Sequence, residues 1–217
     1  MTPTNEGIRR LWGWEVLAGR TFDIVVATVA LIIASPLILV IALAIRMTSR
    51  GPVIFQQDRV GLDGEVFTMF KFRTMQAGAT DDTLRDMIAR ELAGEDTSVG
   101  GSFKPVDRRV TIIGHWLRRT SMDEIPQFMN VLKGDMALVG PRPCLVWEAD
   151  LFPAKYAARF AVKPGITGLW QTNGRSNLST LDMLSIDITY VSLRSFFGDV
   201  AIVLQTVPTL LLDDATR

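Results

Sequence analysis

The strongest pattern along the chain is an apolar run from Ile24 to Ile45, interrupted only by Thr28, Ser35 and Pro36. At about 1.5 Å per residue, a straight helix of that length would cross the roughly 30 Å hydrocarbon core of a bilayer. Pro36 argues against a straight course, because it removes a backbone donor and its ring clashes with the carbonyl four residues back. A break at Ser35-Pro36 leaves arms of 11 and 9 residues, each about half the core thickness, and Ser35 can bond the freed backbone groups. Arg9, Arg10 and Arg20 precede the run and Arg46, Arg50 and Arg59 follow it, so neither flank has the cationic excess that orients a span. The pattern predicts a re-entrant hairpin that returns to the side it entered, with a kinked span as the competing arrangement. A buried core helix is a weaker fit, since such helices seldom run this long without a polar face. No small-residue cleavage site marks a signal peptide.

Beyond the run the period changes. "PVIFQQDRVGLDGEVFTMFKFRTM" predicts two strands around the turn "GLDG", with Met69, Lys71 and Arg73 on one face of the second strand and Phe70 and Phe72 on the other. An ordinary solvated strand face is the competing account of the two cations. In the acidic excursion 78–98, Leu84, Met87, Ile88 and Leu92 keep helical spacing and predict a short, solvated surface helix. A second helix includes Ile113, Trp116 and Leu117 and ends at "RRTS"; a third begins near Pro126 and stops at Gly134. "MALV" reads as a brief strand leading into "GPRP", and "KPGITGLWQTNGRS" as a glycine-rich loop. A last amphipathic helix carries Leu181, Leu184 and Ile188. The tail "FFGDVAIVLQTVPTLLL" suits either the membrane interface or packing against the domain.

These elements predict an α+β fold: a mainly helical cytoplasmic domain with a small β-hairpin or sheet, preceded by the Ser-Pro-broken re-entrant hairpin of a monotopic membrane protein. The divisions expected are an amphipathic segment 1–21, the hairpin 22–46, a catalytic domain 47–195 and an apolar interfacial segment 196–217. Acidic and basic residues balance at 23 each, so no nucleic-acid partner is expected and any anion site must come from local clusters. Cys144 is the one cysteine and His115 the one histidine, which excludes an internal disulfide and argues against zinc.

Asp123 and Glu124 are adjacent acids at a predicted helix start. Helix capping accounts for them in part, since Ser121 and Glu124 have capping-box spacing. Their surroundings add a second account: Arg118 and Arg119 lie just upstream, Arg108 and Arg109 further back, and Arg142 between two prolines downstream. Carboxylates ringed by guanidiniums suit Mg²⁺ bound to a diphosphate. A carboxylate beside such a phosphate can also attack phosphorus.

"KFRTM", "DRRVT", "RRTSMDEIPQFMNVLKGDMALVGPRP", "KPGITGLWQTNGRS" and the "SP"-interrupted apolar segment resemble the bacterial polyprenyl-phosphate hexose-1-phosphate transferases, the small monotopic phosphoglycosyl transferases, from about residue 20 to about 207. The resemblance implies transfer of a sugar 1-phosphate from a UDP-sugar to undecaprenyl phosphate with release of UMP, at the cytoplasmic face of the bacterial inner membrane among its lipids. It implies Asp123 as nucleophile, Glu124 assisting with Mg²⁺, and Lys71, Arg73, Arg109, Arg118, Arg142, Arg175 and Asp187 around the substrates. It marks Ser35 and Pro36 as the membrane break. Asp107 and Arg109 match "DxRVT", whose middle residue is usually proline and here is Arg108, a departure that bears on the entrance loop. A homodimer is left open. The alternative function is an idle membrane-bound UDP-sugar scaffold or sensor. A CDP-alcohol phosphotransferase would need several spans and a spaced set of aspartates, which this sequence lacks.

Overall fold

The computed structural model describes residues 13–76, 82–98, 109–172 and 178–212. Its first element, α1 (Gly13–Thr48), is a single helix of 36 residues that includes Pro36. The division into two separate arms is thus corrected: helical structure continues through Ser35-Pro36. The reason is local. Proline's missing N–H orphans the carbonyl four residues back, that of Ile32, and Ser35 Oγ donates to this Ile32 oxygen at 2.8 Å. One hydroxyl replaces the lost donor. α1 also absorbs residues 13–21, expected as part of a separate segment.

Both ends of the apolar run rest on the folded domain. Arg20 donates to the carbonyls of Val131 and Leu132 at 2.7 and 2.9 Å, and Asp23 accepts from the Leu138 backbone N–H. Ile41 and Ile45 pack with Phe72 and Leu117. The opposite face leaves Ile24, Val25, Ile32, Ile33, Leu39 and Leu43 exposed.

The predicted hairpin is present. β1 (Ile54–Val60) and β2 (Val66–Phe72) pair antiparallel with Phe55 opposite Lys71 and Val60 opposite Val66. "GLDG" closes it through a 3-10 turn, Leu62–Gly64, in which Asp63 and Gly64 take φ of 55° and 82°; aspartate and glycine are residues that tolerate this left-handed region. β4 (Cys144–Leu145) pairs with the other edge of β1. A second sheet joins β3 (Ala137–Val139) to β5 (Gly165–Thr167) in parallel, so part of "KPGITG" is strand rather than loop. Glycine permits it, because a Cβ on Gly165 would collide with the backbone of Gly140 and Val139.

α2 (Asp82–Leu92) follows the expected spacing but is not solvated decoration. Its Glu91, 3% exposed, accepts hydrogen bonds from the N–H and hydroxyl of Thr180, the first residue of α7 (Thr180–Leu193). The excursion therefore braces the positive end of the helix that carries Asp187. α3 (Ile112–Arg119) and α4 (Gln127–Lys133) match expectation, and Gly134 terminates α4 at φ 93°. α5 (Val146–Leu151), a 3-10 stretch Ala154–Ala161 and α6 (Leu169–Thr172) were not foreseen. The tail forms α8 (Phe196–Leu212). It packs on the domain through the buried Ile202 and a hydrogen bond between Thr206 and Thr167, and leaves Phe197 and Leu204 exposed.

Candidate active site

Asn130, wholly buried in α4, accepts from the Phe70 N–H at 3.0 Å and donates to the Thr68 carbonyl at 2.7 Å. This lashes α4 to β2 and brings Lys71 beside the 3-10 turn Met122–Glu124 that precedes α4. Lys71 Nζ donates to Glu124 Oε1 at 2.9 Å. From the other side α3 delivers Arg118, whose Nε donates to Thr74 Oγ1 at 3.0 Å. The sequence-predicted Lys71, Arg118, Asp123 and Glu124 are thereby gathered in one place.

Asp123 is 8% exposed. Burial pushes its carboxyl up to about 6; Lys71 and Arg118 pull it down and Glu124 pushes it further up. A raised carboxylate is a more basic nucleophile than an ordinary one, and it still ionises near neutrality. Ser121 just before it sits at φ 53°, left-handed for a residue with a side chain. It makes no capping bond through its side chain; its carbonyl instead accepts from the Glu124 N–H. The capping-box expectation is corrected, and the turn that presents Asp123 is held in a sparsely populated conformation.

Arg73 does not join this group. β2 ends at Phe72, so the alternation that would aim Arg73 with Lys71 stops one residue short. The buried guanidinium donates instead to the Ser49 carbonyl and hydroxyl at the end of α1. Arg109 lies beside the bridge between Met75 and Val110, its carbonyl accepting from the Gln76 N–H. Ser35 and Pro36 sit within α1. Asp107, Arg108 and Arg175 lie outside the described residues.

Arg142 and Asp187 belong to a second group, at the turn end of the hairpin. The "PRP" segment leads into β4, which pairs with Arg59 and Val60. By strand register this is five residue pairs from Lys71, roughly 17 Å at the backbone. Arg142 is exposed, and its carbonyl accepts from Arg159 Nη2 at 2.9 Å. Arg159 also donates from Nη2 and Nε to Asp187 Oδ2, at 2.8 and 3.2 Å. Burial pushes Asp187 up to about 6 against the pull of Arg159 and Arg142. Arg59 fixes the same turn by donating to the Pro143 carbonyl at 3.0 Å. Arg159 was not singled out from the sequence, and Arg59 was named there only as a cation flanking the apolar run. A lone arginine between the apolar residues of "ARFAV", just ahead of a Pro-Gly pair, was the available signal.

Among the described residues no three His, Cys, Asp or Glu side chains gather into one metal cage. Asp123 and Glu124 are two carboxylates, one already paired with Lys71. That donor set is too small for a dedicated cage and fits Mg²⁺ arriving with phosphate oxygens, which uses one or two carboxylates.

Comparison with known proteins places residues 14–213 in a match to the family described as bacterial sugar transferases. The galactosyl transferase CpsE of Streptococcus agalactiae is 40% identical over 94% of this chain and 44% of its own length. The exopolysaccharide production protein ExoY of Rhizobium meliloti is 35% identical over 90% of this chain and 86% of its own. The UDP-glucose:undecaprenyl-phosphate glucose-1-phosphate transferase of Caulobacter vibrioides is 39% identical over 91% and 71%. The chain therefore spans less than half of the first relative and most of the other two.

Proposed function

This chain belongs to the bacterial sugar transferase family, and from that premise we propose that it moves a sugar 1-phosphate from a UDP-sugar to undecaprenyl phosphate by way of a phosphosugar joined to Asp123 as an acyl phosphate. The observation that carries the reading is the buried Asp123, with its carboxyl near 6, set between Lys71 and Arg118. The name of the Caulobacter relative supports the substrate pair.

In the first step an Asp123 oxygen attacks the sugar-bearing phosphorus, the bond from that phosphorus to the bridging oxygen breaks, and UMP leaves with the electron pair. Asp123 then carries the phosphosugar as an acyl phosphate. In the second step a phosphate oxygen of undecaprenyl phosphate attacks the same phosphorus, the bond to Asp123 breaks, and the carboxylate is restored. Lys71 and Arg118 offset the charge that three phosphate oxygens and a carboxylate bring together. Mg²⁺ held by Asp123 and Glu124 would neutralise the departing phosphate oxygens. The test is to incubate the purified full chain with a panel of UDP-sugars and no lipid, with and without EDTA, and to analyse peptides by mass spectrometry. A phosphosugar adduct on Asp123 that EDTA suppresses is expected; its absence from every donor, or its location on another residue, overturns the reading.

The proposal includes a re-entrant placement of α1 at the cytoplasmic face of the inner membrane. Its support is that Arg20 and Ile45, at opposite ends of the apolar run, both contact one polar domain, which a helix with its ends on opposite faces of a roughly 30 Å core cannot do. Trp14→Cys and Met47→Cys, both at exposed positions, should react with an impermeant thiol reagent from the cytoplasmic side only, the buried Cys144 remaining silent. Labelling of the two positions from opposite sides would establish a span.

A further inference from the structure

Arg118 is an exposed side chain in the last turn of the short helix α3, a setting in which an arginine ordinarily samples many rotamers. Here it is tied down. Its Nε donates at 3.0 Å to the hydroxyl of Thr74, a residue only 7% exposed that follows the last residue of β2 by two positions. A hydrogen bond from a charged donor is stronger than one between neutral groups, so the buried hydroxyl is an effective anchor.

Thr74 is itself immobile because α3 is built around it. Its carbonyl accepts from the Thr111 N–H at 2.9 Å and from the Thr111 hydroxyl at 3.3 Å. One turn further on, Gly114 lets the helix backbone come down on that same carbonyl, where a Cβ would collide with it. Another turn on, Arg118 reaches the side chain. Thr111, Gly114 and Arg118 stand at i, i+3 and i+7, which is one face of a helix, so Thr74 meets α3 at its start and near its end. The neighbours of Thr74 are held too: Arg73 donates to Ser49, and Met75 pairs with Val110.

We propose that Thr74 is a positioning residue for the transfer reaction: its hydroxyl fixes Arg118 Nε, so that the terminal guanidinium N–H groups are presented already ordered to a phosphate oxygen of the bound sugar nucleotide. The inference rests on the phosphotransferase reading for that ligand. Without the anchor, Arg118 would have to be ordered during the reaction, and the entropy lost then would be subtracted from its stabilisation of the transition state. The anchor takes that loss into folding instead.

The test uses the full chain in detergent with undecaprenyl phosphate and, as donor probes, UDP-glucose, UDP-galactose and the UDP-N-acetylhexosamines. It reads kcat/KM for UMP release and, without lipid, the single-turnover adduct on Asp123. Thr74→Val keeps the side-chain shape and the carbonyl bonds to Thr111 and removes only the hydroxyl. It should lower the rates about tenfold or more, and Thr74→Ser, which restores the hydroxyl, should recover most of the loss. The loss must pass through the arginine, so in an Arg118→Met background Thr74→Val should cost less than twofold further. A threonine that served the fold alone would cost the same factor in both backgrounds. Wild-type rates in folded Thr74→Val, or an undiminished loss in the Arg118→Met background, overturns the proposal.

Should Thr74→Val fail to fold, the wild-type protein gives the readout. The Nε–H resonance of Arg118, identified by its absence from Arg118→Lys, should exchange slowly with water and report slow rotation about the Nε–Cζ bond. Exchange as fast as in the other exposed arginines overturns the anchoring. The failures are distinguishable. UMP release that follows the Thr74 and Arg118 pattern without an adduct sinks the covalent step and leaves the positioning role. An adduct formed at the wild-type rate in Thr74→Val sinks the positioning role alone, and absence of both products from every donor sinks the transferase reading and this inference with it.

Discussion

Asp123→Asn is expected to abolish transfer, lowering kcat by about 10⁴-fold or more, while raising the melting temperature. The amide keeps the shape of the side chain and removes the attacking charge. The stability gain follows from linkage. Burial raises the Asp123 carboxyl from 3.8 to about 6, so between those values the folded protein holds a proton that the unfolded chain has released. The contribution of this group to stability is therefore greatest below pH 3.8, declines as pH rises to about 6 and is flat above. A difference of that size corresponds to about 3 kcal/mol of destabilisation at neutral pH. Asparagine lacks this penalty. Melting curves should show the variant above the wild type at pH 7.5 and the gap closing toward pH 4, where a protonated aspartate resembles the amide. Full turnover in the variant would remove Asp123 from the chemistry, and a gap independent of pH would contradict its buried charge. Donor binding without turnover in the wild type would favour the scaffold alternative.

The same value sets the acid limb of activity. Attack needs the carboxylate, so the rate of loading should fall as pH drops through about 6 and level off above it. Asp187, also near 6, titrates in this range. Single-turnover formation of the adduct isolates Asp123, because it reports the attacking group before the acceptor is needed.

Legibility in the sequence followed the range over which each interaction acts. The apolar run, the hairpin around "GLDG" and the Gly134 stop are written in neighbouring residues, and all three are present. The continuity of α1 was missed because the remedy for Pro36 is a single hydroxyl bond, from Ser35 to Ile32, that either a broken or an intact helix could use. The role of α2 was missed because Glu91 meets its partner 89 residues away, where local spacing shows only an acidic surface helix. β3 and β5 are three residues each and pair in parallel, too short for alternation to declare them. Within the site, Lys71, Arg118, Asp123 and Glu124 were each picked out from the sequence and lie together in the structure. Arg73 lies apart from them because its strand ends at Phe72 and the period of two stops there, and Arg159 was passed over because an isolated arginine in an apolar stretch carries no periodic signal.

Lys71→Met is expected to show how that group is tuned. Lys71 is the largest influence holding Asp123 down against its burial, and it pairs directly with Glu124 at 2.9 Å. Methionine retains most of the side-chain volume and removes the charge, leaving two adjacent carboxylates with Arg118 as the remaining cation named beside Asp123. The acid limb should therefore move to higher pH, and at neutrality a larger fraction of the nucleophile should be protonated. A second loss should persist at alkaline pH, because the phosphoryl group under attack has also lost a preorganised cation; removing one such group costs roughly 10²- to 10³-fold. Raising the pH restores the first loss and not the second, so a pH series of kcat/KM separates them. Lys71→Arg should return the acid limb toward its original position, since the charge is kept, while recovering only part of the rate because the fork does not reproduce a point ammonium. An acid limb unmoved in Lys71→Met would mean that Lys71 serves only to hold Glu124, and that the ionisation of Asp123 is set by burial and Arg118.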